Sequence, residues 1–284
     1  MVTDAHIHVQ PWRQFRPGAR ERMTAGRQDL DRIHRLFDDP AAFLGFLDEQ
    51  GIDRAVLVNY VSPDVMGFTD EVNDFVGDFC RGHEDRLVAV GGVHPRLDPD
   101  PAGSLERIVE KHGIRVLKLH PPHQHFFLNA YRDGGGLPQL AALYGRAQAL
   151  GIPLLVHTGT SIFPEARNKY GDPMALDDVA VDFPGLTIIM AHGGRPLWME
   201  TCFFLLRRHA NVHMDISGIP PRLLLRYFPR LAEVAHKTLF GTDWPSPGVE
   251  SPRKNLEELR ALSLAPEAQQ AILEGTAERI FARR

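Results

Sequence analysis

The sequence predicts a closed (β/α)8 barrel of the TIM type, and three observations carry that expectation. Eight short β-type runs recur along the 284 residues, separated by stretches with apolar residues at helical spacing. Gly-Ile recurs at Gly51-Ile52, Gly113-Ile114 and Gly151-Ile152, where such a stretch hands over to a strand, as a left-handed helix C-cap requires. The length is that of one α/β barrel, so residues 1–284 are expected to form a single domain. Alternating strand and helix units pair in parallel, and eight of them favour closure over an open sheet.

The expected strands cover residues 2–9, 54–60, 87–93, 116–120, 153–158, 187–192, 212–216 and 238–243. Phe43, Leu44, Phe46 and Leu47 mark the helix before the second strand. Leu137, Leu140, Leu143 and Tyr144 mark the one before the fifth. Two stretches depart from the repeat, residues 10–31 and 121–136. Both follow strands, which in a barrel is the active-site face, and they read as lids or pocket-forming loops.

Composition narrows the function classes. The charge of 32 − 36 = −4 gives no general attraction to nucleic acid or anionic membranes. Apolar runs such as Leu223-Leu224-Leu225 are far too short to cross a bilayer. Cys80 and Cys202 make no disulfide framework and no CxxC pair, so a reducing, cytoplasmic setting is expected. The expected partner is a small-molecule substrate, and a homo-oligomer is compatible with the composition.

Asp4, His6 and His8 alternate along the first strand, so their side chains are expected on one side of it. In a barrel that side is the interior, where three polar groups are costly unless a metal or hydrogen bonds satisfy them. His-x-His alone is weak, and a second pair, His123 and His125, sits in a loop. The placement of other ionisable residues is stronger. Lys118 lies in the fourth strand, His157 ends the fifth, His192 the sixth and Asp243 the eighth. In a closed barrel these ends converge on one mouth, where barrel enzymes keep their chemistry. A structural zinc would instead be a closed four-ligand site, which argues against a metal-binding barrel without catalysis.

Asp4-x-His6-x-His8, then His157, Ala191-His192-Gly193-Gly194-Arg195-Pro196 and Gly241-Thr242-Asp243-Trp244-Pro245, resemble the amidohydrolase superfamily in order and strand placement. The branch is similar to the amidohydrolase-2 type, which includes the aminocarboxymuconate-semialdehyde decarboxylase relatives. The resemblance implies that His6, His8, His157 and Asp243 bind a divalent metal. It implies that Asp243 also takes a proton from metal-activated water, and that His192 polarises the substrate, orients the water or binds a second metal. Zinc suits these ligands, as one or two ions per chain, with manganese or iron as alternatives. Lys118 matches the strand-four lysine that many hydrolytic members carboxylate to bridge two metals, or it binds a substrate carboxylate as an ammonium. His120, Arg195 and Trp244 are candidates for contacting substrate. The reading that follows is hydrolysis of a small amide, lactone or ester. The alternative is non-oxidative decarboxylation of an aromatic or unsaturated acid.

Overall fold

Runs of valine, isoleucine and leucine with no polar face become strands covered on both sides, as parallel sheets require. The computed structural model describes residues 1–132 and 134–282. Among these, eight parallel strands follow chain order, each hydrogen-bonded to the next. They are β1 Thr3–Ile7, β2 Arg54–Val58, β3 Leu87–Gly92, β4 Val116–Leu119, β5 Leu154–His157, β6 Ile188–Ala191, β7 Val212–Asp215 and β8 Thr238–Leu239. The segment after β8 returns to β1: Ala5 N donates to Phe240 O, His8 N to Trp244 O, and Asp243 N to His6 O. The fold is therefore the (β/α)8 barrel that the strand–helix repeat predicts.

Predicted strands overrun the observed ones by one or two residues at most ends, and the eighth by four. Past Leu239 the chain meets β1 only through irregular bonds, because Asp243 takes up a left-handed backbone with φ 70°. Gly51, Gly113 and Gly151 cap their helices in the left-handed conformation, as the Gly-Ile pattern requires.

Two apolar layers hold the barrel. The inner one is built from Val56, Val88, Val116, Leu155, Ile189 and Leu239, each at most 1% exposed. Ala277 and Phe281 of the helix Thr276–Phe281 close it from below, and Arg115, just before β4, bonds the Phe281 carbonyl. The outer layer packs the helices on the other strand faces, with Ala55, Leu57, Leu117 and Leu119 among its residues.

The register of β1 departs from plain alternation. Asp4 pairs with Ala55 but Ile7 with Leu57, so an extra residue bulges between them. Asp4 thus shares the outward register of Ala55, and His6 and His8 lie on the opposite, inward side. The expectation that all three share one face is corrected by this bulge.

The described residues of the two long insertions pack onto the barrel. Residues 10–31 contain the helix Pro17–Thr24, and Phe15, Ala19 and Met23 pack with Tyr60, Met66 and Phe68. Residues 121–136 begin with the helical turn Pro121–Gln124; Asp133 in this stretch lies outside the described residues. Gln124 donates to the carbonyls of Val61 and Val93 and accepts from His120 N, tying three strand ends together. Among the described residues no helix is long and apolar enough to cross a membrane.

Candidate active site

Two steps along a strand turn the apolar layer into a polar one. Val116 gives way to Lys118 on β4 and Leu155 to His157 on β5, each pair on one side of its strand. His192 and Asp243 sit just past strand ends with φ 65° and 70°. Such a backbone costs a bulky residue on the order of 1–3 kcal/mol, and it re-aims the side chain into the mouth. His6, His8, Lys118, His120, His123, His157, His192, Arg195 and Asp243 all line one cavity of about 510 Å³.

His6, His8 and Asp243 place their donor atoms within 4.8 Å of one another. His6 Nδ1 is 2.9 Å from Asp215 Oδ2, and His8 Nδ1 is 3.0 Å from Val58 O, which can only accept. Gln10 Nε2 also approaches His8 Nδ1, at 3.2 Å, but the carbonyl is nearer and puts the proton on the ring. Both rings then present an Nε2 lone pair to Asp243 Oδ1, at 3.7 Å for His6 and 3.0 Å for His8. Three acceptors converging on one point, each oriented from behind, suit a cation. Burial lowers the His6, His157 and His192 pKa values, so these imidazoles are neutral, the state a metal binds.

His157 stands beside this group. Its ring is 4.7 Å from that of His192, and its buried Nε2 has no hydrogen-bond partner among the described residues. His192 lies 4.8 Å from the His6 ring; its Nδ1 is 3.1 Å from the Ser217 carbonyl, which turns Nε2 free. Arg195 reaches Asp243 Oδ2 at 3.2 Å. Burial alone would raise the Asp243 pKa, but a ring proton of His8 or His6 directed at Oδ1, and the Arg195 guanidinium, lower it overall; a bound cation would take the place of that ring proton.

Asp215 is a site residue that the sequence reading passed over, although it ends β7 as His157 ends β5. The same strand-end logic would have found it. Its carboxylate accepts from His6 Nδ1, from the backbone amides of His192 and Ser217, and from the Ser217 hydroxyl. His6, His192 and Asp215 form a second cluster with metal-ligand spacing, but its carboxylate oxygens are already engaged by these donors. Asp215 acts as the support that fixes both histidines. Gly218 was also missed: at φ 64° it leaves room for the Arg195 guanidinium, and a Cβ there would lie 2.5 Å from Nε.

On His157 in turn, His120 is stacked and clamped between it and His123, with ring centroids 3.9 and 3.6 Å away. Tyr60 hydroxyl meets His123 Nδ1 at 3.1 Å, and His123 Nε2 meets Ser161 Oγ at 2.7 Å. Lys118 is 1% exposed, and burial lowers its pKa to about 8. Trp244 turns away from the cavity: its ring packs on Phe46 and Phe37 in the outer core. Asp4 is likewise elsewhere, bonded to Thr242 N and Oγ1, where burial raises its pKa to about 7.

Buried imidazoles, carboxylates and a lysine gathered at the C-terminal mouth of a (β/α)8 barrel define a barrel enzyme's site. The amidohydrolase family model, of the amidohydrolase-2 branch, matches residues 3–283, and the chain belongs to that family. None of the curated proteins compared matches the sequence significantly. Among solved structures, an uncharacterised TIM-barrel protein from Bordetella bronchiseptica is 23% identical, with a TM-score of 0.77, covering 99% of this chain and 98% of its own. A dihydroxybenzoic acid decarboxylase from Polaromonas, solved with manganese and 2-nitroresorcinol, is 17% identical with a TM-score of 0.67, covering 99% and 97%. A 4-oxalomesaconate hydratase from Rhodopseudomonas palustris is 19% identical with a TM-score of 0.65, covering 99% and 95%. At these identities the likeness is one of fold.

Proposed function

We propose that this chain is a metal-dependent decarboxylase that removes CO2, without oxidation, from a small aromatic or unsaturated carboxylic acid. The observation that carries this reading is the make-up of the His6–His8–Asp243 group as a site for one cation. In the other cluster of metal-ligand spacing, His6–His192–Asp215, His6 Nδ1 and Asp215 are bonded to each other at 2.9 Å, which favours a single cation at the first group. With one cation at this group, Lys118 need not act as a carboxylated bridge, the feature on which hydrolysis is favoured in the sequence. The decarboxylase and its bound manganese among the fold's relatives agree with the reading, and point to manganese as readily as zinc.

His6, His8 and Asp243 would hold the ion, with His157 next to them. When bound, a divalent ion would draw electron density from the substrate and hold its acid group in place. Asp243, kept ionised by its neighbours, accepts a proton from a substrate hydroxyl or from water. It passes that proton to the carbon from which CO2 departs, so the C–C bond is replaced by C–H and the charge balances. Arg195 holds Asp243 in position for both transfers, and His192, with Nε2 free, orients the acid. Hydrolysis of a lactone, amide or ester is the second reading, favoured by the same ionised Asp243, which could instead take a proton from an attacking water.

The test is product analysis with the purified, metal-loaded protein on hydroxybenzoates, unsaturated acids, lactones and amides. Decarboxylation releases CO2 and, in ²H2O, leaves deuterium at the vacated carbon. Incorporation of ¹⁸O from labelled water with no CO2 from any acid would overturn the first reading in favour of the second.

A further inference from the structure

The cavity is lined by two further buried polar groups that the proposed chemistry does not use. Lys118 Nζ and His120 Nδ1 are buried at 1% and 5% residue exposure, both residues line the cavity, and neither atom has a hydrogen-bond partner among the described residues. They stand two residues apart at the end of β4 and so on one side of it. The other buried charges are already matched. Asp215 accepts from His6 and Ser217, and Asp243 accepts from Arg195 and faces the cation position it shares with His6 and His8. At the rim, Arg222 pairs with Glu258 and Lys254 with Glu250. A dehydrated ammonium with no hydrogen-bonded carboxylate is costly, since Asp215 and Asp243 act on Lys118 only through space, and the His120 imidazole with its proton on Nδ1 supplies a second donor.

We infer that Lys118 and His120 form a receptor for a second anionic group, so that the substrate is a dicarboxylate or an equivalent dianion. One acid group faces His6, His8 and Asp243; the other accepts from Lys118 Nζ and His120 Nδ1. The receptor is built in advance of binding. His120 is held in its ring stack by His123 and His157, and His123 is in turn fixed by Tyr60 and Ser161. Such preorganisation favours binding because little side-chain freedom remains to be lost. Tyr60, stacked 4.8 Å from His120, is kept protonated by burial, so it brings no competing negative charge. Only the assignment of the first group as the one that leaves rests on the decarboxylase reading.

Calorimetric binding of unreactive pairs to the purified, metal-loaded protein tests this without turnover. Benzoate is set against isophthalate, neither with a ring hydroxyl, and saturated butyrate against glutarate. The dianion of at least one pair is expected to bind about tenfold more tightly, the range of a charge-assisted contact. In Lys118→Met the preference should shrink to about threefold or less, with monoanion affinity unchanged. His120→Phe, which preserves the stack, should lose part of it. Equal binding within both pairs of the wild-type protein overturns the inference whether or not any variant folds. So does a preference that survives in Lys118→Met, or a carbamate resonance on Lys118 after exposure to ¹³CO2. Absence of CO2 release in the product analysis, with the dianion preference intact, would remove the decarboxylase reading and leave the receptor standing.

Discussion

The floor and the mouth of this barrel are made from the same strands, two residues apart, and they obey opposite rules. On the floor Val116, Leu155 and Ile189 meet the C-terminal helix through Ala277 and Phe281, and burial of apolar area is the whole of their contribution. At the mouth Lys118 and His157 occupy two of these strands further on, Asp215 ends β7 beside them, and each is costly to bury. The polar end is tolerated because its groups are mutually bonded or turned toward the cavity. The contrast teaches that stability and chemistry here are separable along the strand axis. Changes at the floor should move stability with little effect on ligands, and changes at the mouth should do the reverse.

The largest expected effect is at the mouth. Replacing His6 and His8 together with Ala should abolish metal content, from about one ion per chain in the parent, while circular dichroism shows an intact barrel. Asp243→Asn keeps the shape but loses the proton carrier, and kcat should fall by about 10³-fold with a smaller loss of metal. Full metal occupancy in the double histidine variant, by elemental analysis, would contradict the ligand assignment.

At the floor, Leu155→Ala removes a side chain that is 1% exposed in the inner layer. It should destabilise the fold by about 2–5 kcal/mol in denaturant titration, with metal stoichiometry unchanged at low denaturant. If metal is lost in step with stability, floor and mouth are one cooperative unit and the separation fails.

The smallest effect concerns pH and sharpens the same contrast away from the cavity. His94 follows β3 and His213 lies in β7, and burial lowers both pKa values to about 4 from the ordinary 6.5. Below 6.5 the unfolded chain binds protons that the folded chain refuses. Stability is therefore full above pH 6.5 and falls as the pH drops toward 4. Thermal melts with chelator present should show Tm declining through that window, with the buried histidines of the cavity adding to it, and His94→Asn should lessen the decline by its own share. An identical decline in His94→Asn and the parent would mean that His94 is more hydrated than its surroundings imply.

Much of this molecule was legible in its sequence. Strand-length apolar runs and C-cap glycines are local signals, because hydrogen-bond periodicity and backbone sterics act over a few residues. They were enough for eight strands in parallel order and for the strand ends that carry His157, His192 and Asp243. Asp215 was equally legible, as an acid closing an apolar strand. What tertiary structure alone decided is where side chains point once strands from distant parts of the chain meet. The bulge in β1, matched against β2, sends Asp4 outward while His6 and His8 go in. Trp244, five residues beyond β8 in a motif-rich stretch, turns into the helix layer because Phe37 and Phe46 are there to receive it. Arg195 reaches Asp243 across the barrel mouth because Gly218, from another loop, leaves space for its guanidinium. Such contacts join residues tens to hundreds of positions apart, and no local pattern encodes a distance that only closure of the barrel creates.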